Sequence, residues 1–198
     1  QTAGGPRYLM LQTIQEFGLT VLSTHETTAA HRAHAAYFAA MASAAEEHYR
    51  GPGAATWLDR LDADIDNLRA AATWLASGDG GDPERSLRMA TELWEYFDIR
   101  SKHLEARSFL ATVIDRTAGA PAGLRARALA QMGNTWLTNY KQAETFYRRS
   151  LAAAAEDPGD DWQMAATLGL GSIALMQGRF EEALSIAKKV LDRCRSSD

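Results

Sequence analysis

Between residues 57 and 75 the apolar positions are Trp57, Leu58, Leu61, Ile65, Leu68, Ala72 and Leu75, separated by steps of one, three and four residues. Such steps trace a single stripe along a helix. Asp59, Asp62 and Asp66 fall outside the stripe and are expected on the side facing water. A helix of this kind has to bury its stripe against neighbours. The same helical period recurs along the chain, punctuated by turn residues. Ser23-Thr24-His25-Glu26 has the S-x-x-E form of a capping box, so one helix ends and another begins there. Gly51-Pro52-Gly53 marks the next break. The strongest is Gly78-Asp79-Gly80-Gly81-Asp82-Pro83, with Asp82 as N-cap and Pro83 in the first turn. Gly119-Ala120-Pro121 and Asp157-Pro158-Gly159 mark two more. Together they predict about nine helices, near residues 7–23, 25–49, 54–77, 83–99, 102–117, 121–137, 140–155, 160–177 and 180–195. No segment has the length and alternation of a strand.

Composition strengthens this reading. The 198 residues include 37 Ala but only nine Val and Ile together. Ala is the best helix former and β-branched residues favour strands, so an all-α chain is expected. A formal net charge of -4 argues against a dedicated DNA-binding surface, which is normally basic and clustered. No apolar run approaches the roughly 18 residues that span a bilayer, and the opening residues do not have a signal-peptide pattern. The single cysteine, Cys194, excludes an internal disulfide framework and cysteine-based zinc sites. The first residue is Gln1 rather than Met, so the chain is read as a piece of something longer, and its composition leads us to expect a soluble, cytoplasmic protein.

A repeat emerges in the second half. Thr167-x₂-Leu170-Gly171-x₂-Ala174 is followed by Gly178-Arg179-Phe180 and by Ala183-x₃-Ala187. Leu129-x₂-Met132-Gly133-x₂-Trp136 is followed by Tyr140 and by Ala143-x₃-Tyr147. A weaker copy reads Ala90-x₂-Leu93-Trp94-x₂-Phe97, then His103 and Ala106-x₃-Leu110. These copies follow the tetratricopeptide pattern, in which small residues let the two helices of a pair approach and larger ones fill the space between pairs. Gly133, Gly171, Ala143 and Ala183 are the small positions, and Gly178 supplies a turn in which positive φ costs it nothing. The middle turn is shorter, and Trp94 occupies a small-residue position in the first copy. The fold expected is therefore an all-α, tetratricopeptide-like array of helical hairpins, wound as a right-handed superhelix.

Longer motifs carry a family resemblance. Arg7-Tyr8-Leu9-Met10-Leu11-Gln12-Thr13-Ile14-Gln15-Glu16-Phe17 resembles the R-Y-x-x-L-x-T-I-x-E-[YF] segment that closes the winged-helix part of bacterial regulatory ATPases. His31-Arg32-Ala33-His34-Ala35-Ala36-Tyr37-Phe38 is similar to their R-R-H-A-x-Y-F stretch. Trp57-Leu58-Asp59-Arg60-Leu61 through Asp66-Asn67-Leu68-Arg69-Ala70-Ala71 resembles W-L-x-x-L…D-N-L-R-A-A. Leu93-Trp94 and Arg100-Ser101-Lys102-His103-Leu104-Glu105-Ala106-Arg107 resemble L-W-x-F-W and R-G-H-L-x-E-G-R, with Ser101 and Ala106 in place of the two glycines. The family comprises transcriptional regulators of the signal-transduction NTPase type, including LuxR-type and SARP-type activators. The resemblance implies three parts: residues 1–23 as the last helix of a preceding winged-helix domain, 24–79 as a linking helical pair, and 80–198 as the repeats. It further implies a sensor region that biases an ATPase domain elsewhere in the parent protein. Nothing here matches G-x-x-x-x-G-K-[ST], so ATP hydrolysis and DNA binding are not expected of this chain itself.

Fragments that imitate active sites do not survive their context. Gly169-Leu170-Gly171-Ser172-Ile173-Ala174 fits a dinucleotide fingerprint, but that motif needs a preceding strand, and here the glycines fall inside a predicted helix. Asp62-x-Asp64-x-Asp66 opens like a calcium loop, yet Asn67 stands at the required glycine and Thr73 at the bidentate glutamate. His31 and His34 share one helical face without a local third ligand, so they read as surface residues rather than a zinc pair. Glu46, Glu47 and His48 read as a solvated helix end. No catalytic residue, cofactor or metal is assigned.

What remains is the groove lined by the first helices of the repeats. The family geometry selects Arg88, Thr91, Glu95, Asp98 and Ile99 in the weak copy. It selects Arg127, Ala130, Asn134, Leu137 and Thr138 in the middle copy, and Ala165, Leu168, Ser172, Leu175 and Met176 in the last. Arg88, Thr91, Glu95, Arg127, Asn134, Leu175 and Met176 are the candidate recognition residues. The expected partners are an effector peptide, protein or small molecule, the protein's own ATPase domain, and a second copy of the chain. A free-standing peptide-binding scaffold is the alternative, and an all-helical metal-dependent enzyme using His31 and His34 a more distant one.

Overall fold

In a computed structural model, residues 12–77, 81–136, 138–156 and 162–196 are described. Their regular structure is helical, with no strand among the described residues. The helices are α1 (Gln12–Val21), α2 (Thr24–Glu46), α3 (Ala54–Leu75), α4 (Pro83–Glu92), α5 (Trp94–Ile99), α6 (His103–Ile114), α7 (Ala122–Asn134), α8 (Tyr140–Ala154), α9 (Trp162–Met176) and α10 (Phe180–Ser196). The helix predicted over 83–99 is two elements, interrupted at Leu93. The ladder resumes at once, because the Phe97 N–H donates to the Leu93 carbonyl at 3.2 Å. The arginine-led segment 7–11, the glycines at 78 and 80, the 157–159 break and Leu137 lie outside the described residues.

The local signals act as their chemistry requires. The Ser23 hydroxyl accepts from the Glu26 N–H at 3.3 Å while the Glu26 carboxylate accepts from the Ser23 N–H at 2.9 Å, which completes a reciprocal capping box. Asp82 caps α4 by accepting from the Arg85 N–H at 3.0 Å, with Pro83 at the helix start. The stripe on α3 goes inward: Leu58, Leu61, Leu68, Ala72 and Leu75 are buried, and Trp57 and Ile65 pack against the same core.

Asp62 corrects the expectation that the acidic side of α3 merely faces water. Its carboxylate accepts from the Tyr96 hydroxyl and from Lys102 Nζ, each at 2.8 Å, and meets Arg100 at 2.7 Å. Burial alone would raise the Asp62 pKa. The bonds from Lys102 and Tyr96 and the neighbouring cationic charges outweigh it, so the carboxyl lies below its ordinary value. Asp62 therefore ties α3 to α5 and to the turn before α6.

The helices pack in order along the chain, α2 on α3, α4 on α6, α7 on α8, α8 on α9 and α9 on α10. One apolar core runs from Ala35 on α2 to Met132 on α7, and a second lies between α7, α8 and α9. Buried hydroxyls pin helix to helix, with Ser86 donating to the Ala72 carbonyl and Ser150 to the Ala126 carbonyl, both at 2.7 Å. The two glycines at small positions have close contacts, since a Cβ on Gly133 would stand 2.7 Å from the Tyr147 ring and one on Gly171 3.0 Å from Ile186. Gly169, outside the repeat pattern, is as tight, because a Cβ there would run into the Tyr147 ring.

Candidate functional site

Two concavities meet on the face where the first helices of the hairpins converge. The first, of ≈460 Å³, has Glu46 of α2 on one side, Thr91, Glu92 and Glu95 of α4–α5 on another, and Arg127, Gln131 and Trp162 opposite. The second, of ≈350 Å³, is lined chiefly by Asn134, Trp136, Tyr147, Ser172, Ile173 and Met176. Trp94 and Asp98 line both. The two are thus adjoining halves of one groove, the first rich in charge and the second rich in aromatic and apolar surface.

Of the seven candidate recognition residues, five line this groove. Thr91, Glu95 and Arg127 reach the charged half, while Asn134 and Met176 reach the apolar half. Arg88 lines neither; it is exposed and pairs with Glu84 on its own helix at 3.0 Å. Leu175 is exposed and likewise lines neither half. The lining residues are already partly committed. Thr91 is buried, and its hydroxyl donates to the Arg88 carbonyl at 2.8 Å. Glu95 pairs with Arg50 at 3.2 Å. Asn134 accepts from the Tyr147 hydroxyl at 2.5 Å. Arg127 is ion-paired with Glu46, donates to the Thr91 carbonyl at 3.2 Å, and lies over the Trp162 ring at 5.2 Å.

The partner of Arg127 is a second correction. Glu46 is not a solvated helix end but a groove carboxylate, delivered from α2 across a large separation in sequence. No periodicity within a repeat points to it. Glu92 and Gln131 were also missed, because both fall on helix faces that the repeat pattern assigns to packing. Trp94 was visible as an anomaly: a large ring at a small-residue position has to occupy space, and it occupies the junction of the two halves.

Electrostatics single out Glu92. Burial pushes its carboxyl up to about 7, and the Glu46 charge pushes the same way, against the pull of Arg127, Arg88 and Ser43. The Tyr49 hydroxyl is buried without a hydrogen-bond partner; burial first, then the charges of Glu46, Glu95 and Glu92, raise its pKa. The histidine pair has other duties: His31 stacks on Trp74 at 5.9 Å, and His34 lies against Phe38 at 4.7 Å. Among the described residues, no three His, Cys, Asp or Glu side chains gather as metal ligands, and no helix is long and apolar enough to cross a membrane.

Comparison with known proteins agrees with this architecture. Residues 126–196 match the tetratricopeptide repeat family. Proteins provisionally named HTH-type transcriptional regulators, from Mycobacterium bovis and Mycobacterium tuberculosis, are 29% identical over 145 residues. The match covers 68% of this chain and only 16% of those relatives. The fold is thus an all-α array of tetratricopeptide-like hairpins, and the chain is distantly similar to a short stretch of the proteins that carry that name.

Proposed function

We propose that this chain is the sensor and protein-interaction region of a longer, cytoplasmic bacterial transcriptional regulator, and that its groove holds a segment of an effector or partner protein. The observation that carries this reading is the adjoining pair of concavities sharing Trp94 and Asp98, one charged and one apolar, which offers two joined subsites to a single segment. The relatives' names supply the regulatory context, and their much greater length favours a multidomain parent over a free-standing scaffold. In this reading residues 1–23 belong to the preceding winged helix, consistent with the exposed Ile14 and Phe17 on α1. Residues 24–79 link it to the repeats over 80–198, and the groove's occupancy biases an ATPase switch in the parent through differential affinity for its two states.

Ser172 is exposed and lines the apolar half, away from the cores. Ser172→Trp should fill that half without removing packing. Placed in the full-length regulator, it is expected to abolish the transcriptional response to the effector while thermal unfolding stays where it was. A normal response from a normally expressed variant would move recognition off this face.

A further inference from the structure

The charged half of the groove is unevenly charged. Glu46, Glu92, Glu95 and Asp98 face Arg50 and Arg127, so carboxylates exceed guanidiniums by two. Arg127 pairs with Glu46, and Arg50 pairs with Glu95 at the rim, where the Arg50 side chain is 90% exposed and the attraction is screened. That leaves Glu92, only 7% exposed, with a hydrogen bond to Ser43 and the attraction of Arg127 and Arg88, and with burial and the Glu46 charge still working against its ionisation. A second observation is independent of charge. Gln131 lines the same cavity at 2% exposure, and its Nε2 donates to the Thr91 carbonyl at 3.1 Å. Its Oε1 is a buried acceptor with no donor. Buried acceptors are ordinarily satisfied, and one left open in a cavity that also holds an excess of carboxylates asks for a cationic donor.

Building on the groove reading above, we propose that this half is a specificity pocket for the arginine side chain of a peptide segment lying in the groove. The guanidinium offers five donors in a planar fork and stacks readily on aromatic faces. Glu92 and Gln131 Oε1 supply acceptors, and the Trp94 ring supplies an aromatic wall. The apolar half, reached past Trp94 and Asp98, receives the neighbouring residues of the same segment. A peptide is favoured over a small cation because only a chain uses both halves together.

The test titrates the 198-residue chain, followed by tryptophan fluorescence and NMR, with a short acetylated peptide carrying one central arginine between leucines. The same peptide with citrulline, a neutral isostere, and acetylated arginine amide serve as the other probes. The arginine peptide should bind at least about tenfold more tightly than the citrulline peptide. Glu92→Gln should erase that difference while its NMR spectrum remains that of a folded chain. Affinity for the arginine peptide should also rise with pH as Glu92 ionises among Ser43, Glu46 and Tyr49 from the α2 side, Arg88 on its own helix, Glu95 on α5, and Arg127 and Gln131 on α7. Equal binding of the arginine and citrulline peptides, or an arginine preference that survives Glu92→Gln, overturns the pocket. An amide that binds as tightly as the peptide overturns the peptide assignment in favour of a small cation. If Ser172→Trp silences the regulator but no arginine preference appears, the groove reading stands and this inference falls. If Ser172→Trp leaves the response normal, the groove reading falls and takes the peptide with it.

Discussion

Ser101 holds a φ of 55°, the left-handed region in which a side chain crowds the following carbonyl. Its counterpart in the last hairpin is Gly178, at a φ of 74°. The two turns close with the same bond: Lys102 N–H donates to the Phe97 carbonyl, and Arg179 N–H to the Ala174 carbonyl, each at 2.8 Å. One turn thus carries glycine and the other carries a strained serine in equivalent geometry. Ser101→Gly removes roughly 1 kcal/mol of left-handed strain, less what glycine's freedom in the unfolded chain gives back. The expected outcome is a higher urea midpoint with an unchanged slope, and a lower midpoint for Gly178→Ser. This position was legible in the sequence, since serine replaces a glycine of the resembled motif there. Its backbone was not, because a substitution leaves open whether the turn has changed shape or is holding its shape under strain.

At the scale of helices, Tyr147 is the wedge of the second core. Its ring lies between Gly133 on α7 and Gly169 on α9, and its hydroxyl is held by Asn134. A ring clamped from both sides has nowhere to retreat, so a side chain at either glycine forces helices apart. Gly169→Val should cost about 1–3 kcal/mol by overpacking. A double-mutant cycle with Tyr147→Ala should show strong coupling, because removing the ring opens the space that valine needs. Additive effects in thermal unfolding would mean that the wedge does not set the α7–α9 distance. The repeat pattern identified Gly133 as a small position, but it gave Gly169 no structural role and made it look like half of a nucleotide motif. The reason is physical: the pattern records spacing within a hairpin, whereas Gly169 answers to a side chain from the preceding one. The groove shows the same division. Some positions on the first helices of the repeats were readable, though Glu92 and Gln131 were not and Arg88 and Leu175 line neither half, whereas Glu46 arrives from a helix outside the repeats, where repeat spacing does not reach.

Across the whole molecule, the Glu92 cluster joins parts of the chain that the hairpin pattern treats separately, bringing α2, α4 and α7 to one partly buried site through Glu46, Glu92 and Arg127. A carboxyl whose pKa in the folded protein is about 7, against an ordinary 4.5, keeps its proton in the fold while the unfolded chain releases it. Stability from this group is therefore fully present below about pH 4.5 and is lost as the pH rises through about 7. Glutamine cannot ionise, so Glu92→Gln should leave stability nearly unchanged at about pH 5 and raise it by roughly 1–2 kcal/mol at about pH 8. The quantity to measure is the difference between wild type and variant in denaturant midpoint across that range, since other groups titrate alike in both and cancel. A difference that stays flat with pH would mean that Glu92 is charged throughout, matched by Arg127 and Arg88. A difference that grows as predicted would mean that the fold tolerates an ionised Glu92 near neutral pH at a cost. A cation entering the groove would relieve that cost, so the variant that loses arginine recognition should also be the more stable apo protein above pH 7.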